Sequence, residues 1–276
     1  MKLQAMAKIN LALDVVQRRL DGYHELDMIM APISLYDEIT ITLHESDVFT
    51  CSDPTLKMDA HNTVCKAVDI CRERYSLREH FAIHVEKKIP MQAGLAGGSA
   101  DAAAVIKGIN QLCNLNLNLE ELIQIAVQVG ADVPFCLVQK VARVKGIGEK
   151  IEVLSLQKQY YALLVKPVGG VSTKACFEGI DFTSCTHPPL DKIASCIMKQ
   201  EYFTNLLDNT LEQSAFKLNK DIKNIKDILE GFDFEKVLMS GSGSSVFGLT
   251  TSATYAKKIH YKLKNQFSFI EVVKIL

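Results

Sequence analysis

The stretch IPMQAGLAGGSADAAAVIKG, residues 89–108, joins a strand pattern to an alanine-rich helix pattern through Gly94, Gly97 and Gly98. Pro90 ends the strand, since proline has no N–H to give to a ladder. Ala100, Ala102, Ala103 and Ala104 leave the first helical turns nearly bare, so the helix can press against a neighbour. A helix opening near Ser99 presents unpaired N–H donors and the positive end of its dipole, and glycines let such donors approach an anion closely. Asp101, in the first turn, suits the same dipole. The stretch is neither a Walker loop, which needs Lys and then Ser or Thr after its last glycine, nor a GxGxxG dinucleotide turn. By itself it fits a tightly packed corner as well as a phosphate cradle.

Before this stretch, KINLALDVV, ELDMIMAPIS and DEITITLH read as strands, with RRLDGYH as the first loop. NTVCKAVDICRERY has helical spacing behind an Asn62 N-cap, and FAIHVEKK returns to strand alternation. After it, Val105, Ile106, Ile109 and Leu112 continue the helix, and a second helix opens at Asn118 and stops at Gly130. The pattern weakens around SLQKQ, which puts a boundary between domains at 1–155 and 156–276. The second domain is expected to hold helices over 172–180, 190–231 and 253–265, and strands at YYALLVKP, KVLMS, SVFGLT and FIEVVKIL. The class is α+β.

With 276 residues, 48% of them apolar, the chain can fill its core without staples. Its 31 basic residues face 32 acidic ones with no run of either sign, which leaves no electrostatic footprint for nucleic acid or an anionic membrane. No apolar run approaches the roughly 18 residues of a membrane span. The start, MKLQAMAKINLALD, is interrupted by Lys2, Lys8, Asn10 and Asp14, unlike a signal segment. A cytoplasmic protein is expected. The eight cysteines lack a CxxC pair and zinc-spaced histidines, and are expected to be reduced core thiols. The expected partner is a small molecule, with the chain a monomer or weak homodimer.

Asp132 follows the helix stop at Gly130 and precedes Val133 and Pro134, which predicts a short extended connector. A carboxylate there can cap, turn or do chemistry. Lys8 lies in an apolar strand pattern, so it either reaches solvent or meets a buried partner. DGYH, at 21–24, can be a plain turn, or an aromatic face and an imidazole that read a base. GSGSS, at 241–245, reads as the connection of a hairpin between KVLMS and VFGL.

PMQAGLAGGSADAA resembles the PxxxGLGGGSSxAA phosphate loop of the GHMP kinases. AKINLAL, RLDGYHEL, GADVPF at 130–135 and MSGSGSSVFG appear in the order, and near the spacing, of the 4-diphosphocytidyl-2-C-methylerythritol kinase family within that superfamily. The match spans nearly the whole chain. It implies a two-domain α+β fold, an N-terminal ATP-binding α/β domain of ribosomal-protein-like topology and a C-terminal ferredoxin-like domain. The activity it implies is phosphorylation by ATP of the 2-hydroxyl of 4-diphosphocytidyl-2-C-methyl-D-erythritol, a step of non-mevalonate isoprenoid precursor synthesis.

By the same resemblance, Asp132 faces the acceptor hydroxyl and Lys8 pairs with it. A neighbouring cation lowers a carboxylate's pKa by about 1–3 units, which keeps it ionised and weakly basic. Pro90, Met91, Gln92, Ala93, Gly94, Leu95, Ala96, Gly97, Gly98, Ser99 and Ala100 match the ATP phosphate loop, and Asn62 and Lys87 match positions near adenine. Tyr23 and His24 line the cytidine pocket, with Phe177 sandwiching the base against Tyr23 and Ser172 and Thr173 beside it. Asn10 contacts the methylerythritol diphosphate region, and Gly241, Ser242 and Gly243 close over substrate phosphates. Mg²⁺ is expected with ATP; without a carboxylate cage, the nucleotide phosphates and the Ser99 hydroxyl would hold it.

Two departures stand out. Gln139 and Lys140 occupy the place of a common Gly-Gly pair, and Ala93 and Ala96 stand where glycine is usual. Competing expectations are a mevalonate-like or homoserine-like alcohol kinase of the same superfamily, or a nucleotide-binding homologue without turnover. Intact Lys8 and Asp132 speak against the second. An RNA-binding role, suggested by the ribosomal-protein likeness, is opposed by the neutral charge balance.

Overall fold

In the computed structural model, which describes every residue except Asp21 and Tyr23, the first strand patterns become β1 (Lys2–Arg18), β2 (His24–His44) and β3 (Val48–Cys51). Next come α1 (Thr63–Tyr75), β4 (His80–Glu86), α2 (Gly97–Leu112), α3 (Leu119–Val129) and α4 (Val133–Val138). β5 (Ala142–Gly146), β6 (Lys150–Val153), β7 (Tyr161–Lys166), α5 (Thr173–Glu178) and α6 (Leu190–Lys199) follow. The chain closes with α7 (Glu212–Leu218), α8 (Lys220–Glu230), β8 (Lys236–Met239), β9 (Val246–Thr250), α9 (Ala253–Leu263) and β10 (Phe269–Lys274).

By contact the chain divides into two units that interleave in sequence. The first holds Met1–Ala7, Leu35–Pro90 and Ala96–Gln139. The second holds Lys8–Ser34, Met91–Leu95 and Lys140–Leu276.

In the first unit β4 stands between β3, to which it is parallel, and the second half of β2, to which it is antiparallel. α1 connects β3 to β4 as a βαβ crossover. α2 packs on α1, α3 and α4. Against the sheet it is bare where it must be: a Cβ at Gly108 would lie 2.9 Å from the Ile41 side chain of β2 and 3.1 Å from that of Leu3 in β1. The caps are as the residue types dictate. Asn62 accepts from Val64 N at 2.9 Å, and Asn118 and Glu121 form a reciprocal capping box.

In the second unit the first half of β2 pairs antiparallel with β5, and β5 with β6. A separate antiparallel sheet has the order β10-β7-β9-β8, with α8 and α9 packed on it. The fully buried Phe247 of β9 anchors that core, a burial worth roughly 1.5–3 kcal/mol.

Several expectations are corrected. ELDMIMAPIS and DEITITLH are one strand, β2, not two. Pro32 falls between the β5-paired residues 26–30 and the β4-paired residues 38–44, so neither of these two ladders needs its N–H. The helical span 190–231 is broken: Gln200 ends α6 in the left-handed conformation, and residues 208–210 are drawn beside β1 by Leu13 N to Asp208 O and Thr210 N to Leu13 O, both 3.0 Å. α2 begins at Gly97, two residues before Ser99. Asp132 is not on an extended connector but in helical conformation at the N-cap of α4, with Pro134 in the first turn, where its missing N–H costs nothing. Of the cysteines, Cys65, Cys71, Cys136, Cys176 and Cys196 are buried, while Cys51, Cys113 and Cys185 are only partly covered.

Candidate functional site

The glycine stretch passes from one unit to the other, and each half is held by its own unit. In the second, Lys8 is buried, and its ammonium donates to Asn10 Oδ1 at 2.8 Å and to the Gly94 carbonyl at 2.9 Å. Of the two possibilities open to a lysine in an apolar strand, the buried one holds. The same carbonyl accepts the Ser240 hydroxyl at 3.0 Å, and Ser240 Oγ accepts from Asn10 N at 3.3 Å. Ser245 N donates to Ala93 O at 3.1 Å and Ser244 N to Gln92 O at 3.3 Å. Residues 92–94 are thus sewn onto the β8–β9 turn, and two glycine loops far apart in sequence become one surface.

That closeness needs glycine. Gly94 has φ +72, and a Cβ there would run into the Ser240 carbonyl, while a Cβ at Gly241 would lie 3.2 Å from Gly94 O. Gly94→Ala is expected to part the two loops and to cost at least about 2 kcal/mol, combining a left-handed penalty with a backbone clash. Urea denaturation checks this, and an unchanged midpoint would contradict it.

Asn209, which sequence reasoning missed, clamps the turn from below. Its buried amide donates to Met239 O at 2.9 Å and to Gly241 O at 2.8 Å. A lone Asn in the irregular segment between two helices gives no signal in a sequence.

The substrate-end residues are also in this unit. Ser172 caps α5, and the Thr173 hydroxyl lies 3.1 Å from that of Ser242. The His24 ring is 5.0 Å from that of Phe177, and it stacks at 6.4 Å on Phe182, a further aromatic not anticipated. Burial, and then the Arg18 charge, hold His24 below the ordinary imidazole range. A neutral ring offers one donor and one acceptor, the pattern a base edge requires. Tyr23, expected opposite Phe177, lies outside the described residues.

In the first unit α2 opens at Ala96, whose left-handed φ of 56° is a strained choice where glycine is usual, and no side chain caps the helix. Its first N–H groups therefore have no cap to meet them. A Cβ at Gly97 would lie 3.3 Å from Lys87 Nζ, and one at Gly98 would lie 3.1 Å from Thr63 Oγ1. The Thr63 hydroxyl donates to Gly98 O at 2.7 Å. Gln139, where the Gly-Gly pair is common, ends α4 with φ 51°, so a left-handed position is kept without glycine.

Lys87 is held in a buried cluster. Its ammonium bonds Asp37 Oδ2, and Asp101 Oδ2 at 2.8 Å. Asp37 Oδ1 also accepts Lys88 N at 2.5 Å and Ile89 N at 2.8 Å, fixing the residues before Pro90. Asp101 therefore serves a buried cation rather than the dipole of α2. Burial would lower Lys87, but Asp101 and Asp37 outweigh it and hold its ammonium above the usual range. Burial, and then Asp37 against the opposing pull of Lys87, push Asp101 up to about 7.

A carboxylate raised in the folded state binds more protons there than in the unfolded chain, so its contribution to stability falls as pH rises from about 4 to about 7. Asp101→Asn is expected to flatten this part of the melting-temperature profile relative to the parent chain. Parallel profiles would contradict the assignment.

Asn62 uses its side chain locally, accepting from Val64 N and donating to Lys57 O at 2.9 Å. Among the described residues no group of three or more His, Cys, Asp or Glu could hold a metal ion, and no helix is long and apolar enough to cross a membrane.

Residues 62–140 match the family model of the GHMP kinases N terminal domain, and residues 184–268 match that of the GHMP kinases C terminal. Three relatives are named 4-diphosphocytidyl-2-C-methyl-D-erythritol kinase. That of Carboxydothermus hydrogenoformans is 42% identical over 95% of this chain and 93% of its own. That of Caldicellulosiruptor bescii is 41% identical over 96% and 94%. That of Enterococcus faecalis is 38% identical over 99% and 98%. A crystal structure of 4-(cytidine 5'-diphospho)-2C-methyl-D-erythritol kinase superposes with a TM-score of 0.84 at 30% identity, covering 100% of this chain and 99% of that one. A homoserine kinase structure from Cytophaga hutchinsonii, at 20% identity and a TM-score of 0.77 over 98% and 94% of the two chains, shares the fold.

Proposed function

The chain belongs to the 4-diphosphocytidyl-2-C-methyl-D-erythritol kinases of the GHMP superfamily, and from that premise we propose that it transfers the terminal phosphoryl group of ATP to the 2-hydroxyl of 4-diphosphocytidyl-2-C-methyl-D-erythritol. The observation that carries the phosphate role is the mouth of α2, uncapped by any side chain and lined by Gly97 and Gly98. Backbone donors converging there suit a polyphosphate.

Asp132 orients the acceptor hydroxyl and receives its proton, and Lys8 supplies the compensating positive charge. Phosphoryl transfer through a loose transition state asks mainly for alignment and charge neutralisation, which a carboxylate positioned at the acceptor hydroxyl can supply. His24, Phe177 and Phe182 take the cytosine, and Ser172, Thr173 and Ser242 with Gly241 and Gly243 take the diphosphate end together with Asn10. Asn62 and Lys87 frame the nucleotide end as supports, since their side chains are already engaged. No metal-binding carboxylate group occurs among the described residues, so Mg²⁺ would be held by the nucleotide phosphates and the Ser99 hydroxyl and would supply charge neutralisation there.

ADP release from purified protein with Mg-ATP and a panel of alcohols tests the substrate. ADP release with the cytidyl compound alone is expected. Release with mevalonate or homoserine instead points to another alcohol kinase, and release with none to a silent homologue.

A further inference from the structure

Outside the proposed kinase machinery, three titratable side chains of the second unit stand in line. His187 Nδ1 is 2.7 Å from Asp14 Oδ1, and His187 Nε2 is 3.5 Å from Cys185 Sγ. A carboxylate only accepts, so the Nδ1 nitrogen carries the hydrogen, and in the neutral ring Nε2 then presents its lone pair to the thiol. A nucleophile, a base within reach of it and a carboxylate that orients the base are the parts of an activated thiol.

The line is held in place on both sides of the sulfur. The Thr210 hydroxyl lies 2.8 Å from Thr186 O and 3.1 Å from Asp14 Oδ1, and Gln213 Nε2 donates to Ser184 O at 3.3 Å. Asp181 collects Thr183 N, the Thr183 hydroxyl and the Ser184 hydroxyl, and Cys185 N donates to Asp181 O at 3.0 Å. Pro188 and Pro189 stiffen the chain directly after His187. His187 is exposed and Cys185 partly so.

We infer that Cys185, His187 and Asp14 form a base-activated thiol, at which a hydroperoxide oxidises Cys185 to a sulfenic acid. His187 Nε2 takes the thiol proton, and the sulfur attacks one peroxide oxygen. The O–O bond breaks, and the departing hydroxide or alkoxide recovers the proton from His187. Sulfur loses two electrons, the peroxide gains two, and water or an alcohol leaves. Burial, with the carboxylates of Asp14 and Asp181, pushes the Cys185 thiol up, so the sulfur depends on His187 rather than standing as a thiolate.

The test treats the full chain with hydrogen peroxide and dimedone and measures adduct at each cysteine by peptide mass spectrometry. Cys185 is expected to react about tenfold or more faster than the partly covered Cys51 and Cys113, a modest share of what base assistance supplies. His187→Gln is expected to bring Cys185 down to the Cys51 rate without moving Cys51. Should labelling of buried Cys65 and Cys71 reveal that this variant unfolds, Asp14→Asn decides by the same comparison. Equal labelling of Cys185 and Cys51 in the parent chain, or unchanged Cys185 labelling in the folded variant, overturns the inference.

Discussion

Asp132→Asn lowers kcat by about 10²–10⁴, the range that a positioned proton acceptor contributes, and leaves the affinities for ATP and the cytidyl substrate near those of the parent chain. In free energy this is about 2.7–5.5 kcal/mol of transition-state stabilisation. Asparagine keeps the shape and removes the charge. The start of α4 is kept by the backbone: the Asp132 carbonyl, retained in the variant, accepts Cys136 N at 3.2 Å. A loss confined to kcat places the residue in the chemical step. A loss of affinity with kcat preserved would show a binding role, and near-normal turnover would end the assignment. Steady-state kinetics with both substrates varied, alongside a melting curve, separates these outcomes.

Lys87→Met has the largest expected effect on stability. It leaves Asp37 and Asp101 as neighbouring buried carboxylates without the ammonium that both bond. Removing one partner of a buried ionic group costs about 3–5 kcal/mol, because uncompensated charge stays in a poorly solvated place. For a chain of this size that is a fall in melting temperature of roughly 10 °C at neutral pH. The sign of the pH dependence identifies the cause. Asp101 is already raised by burial and loses the ammonium that opposes that rise, so protonation relieves it, and the deficit against the parent chain shrinks as pH falls toward about 4. A deficit that stays constant with pH points to lost packing, and no deficit at all contradicts the cluster. Melting curves at a series of pH values read both.

Much of this architecture was legible because local chemistry and global fold agree. Asn62 and Asn118 announced helix starts, Gly130 a stop, and the alternation of KVLMS and VFGL the hairpin around 241–245. The glycine stretch announced a helix mouth. Failures came where tertiary partners override local preference. ELDMIMAPIS and DEITITLH read as two strands, yet they are one, β2, which passes from pairing with β5 to pairing with β4 between them. Val133 and Pro134 read as extended, yet a proline in a first helical turn is equally allowed, and burial of Val133, Phe135 and Leu137 selects the helix.

The site was legible by motif and opaque by partner. Lys8, Gly94 and Gly241 were each marked, but nothing in the sequence says that the Gly94 carbonyl receives both Lys8 and Ser240. Asp37 sits in an alternating strand like any exposed acid, and only the fold brings Lys87, Lys88 and Ile89 to it. Asn209 and Phe182 have no periodicity to reveal them, because segments without regular structure are positioned by what they touch.

Phosphorus NMR of a completed reaction with Mg-ATP and 4-diphosphocytidyl-2-C-methyl-D-erythritol, correlated to the carbon skeleton of the product, addresses the proposed transfer most directly. One new phosphomonoester on the 2-hydroxyl, with one ADP formed for each, is the predicted result. Absence of a new ester, or its appearance on another hydroxyl, contradicts it.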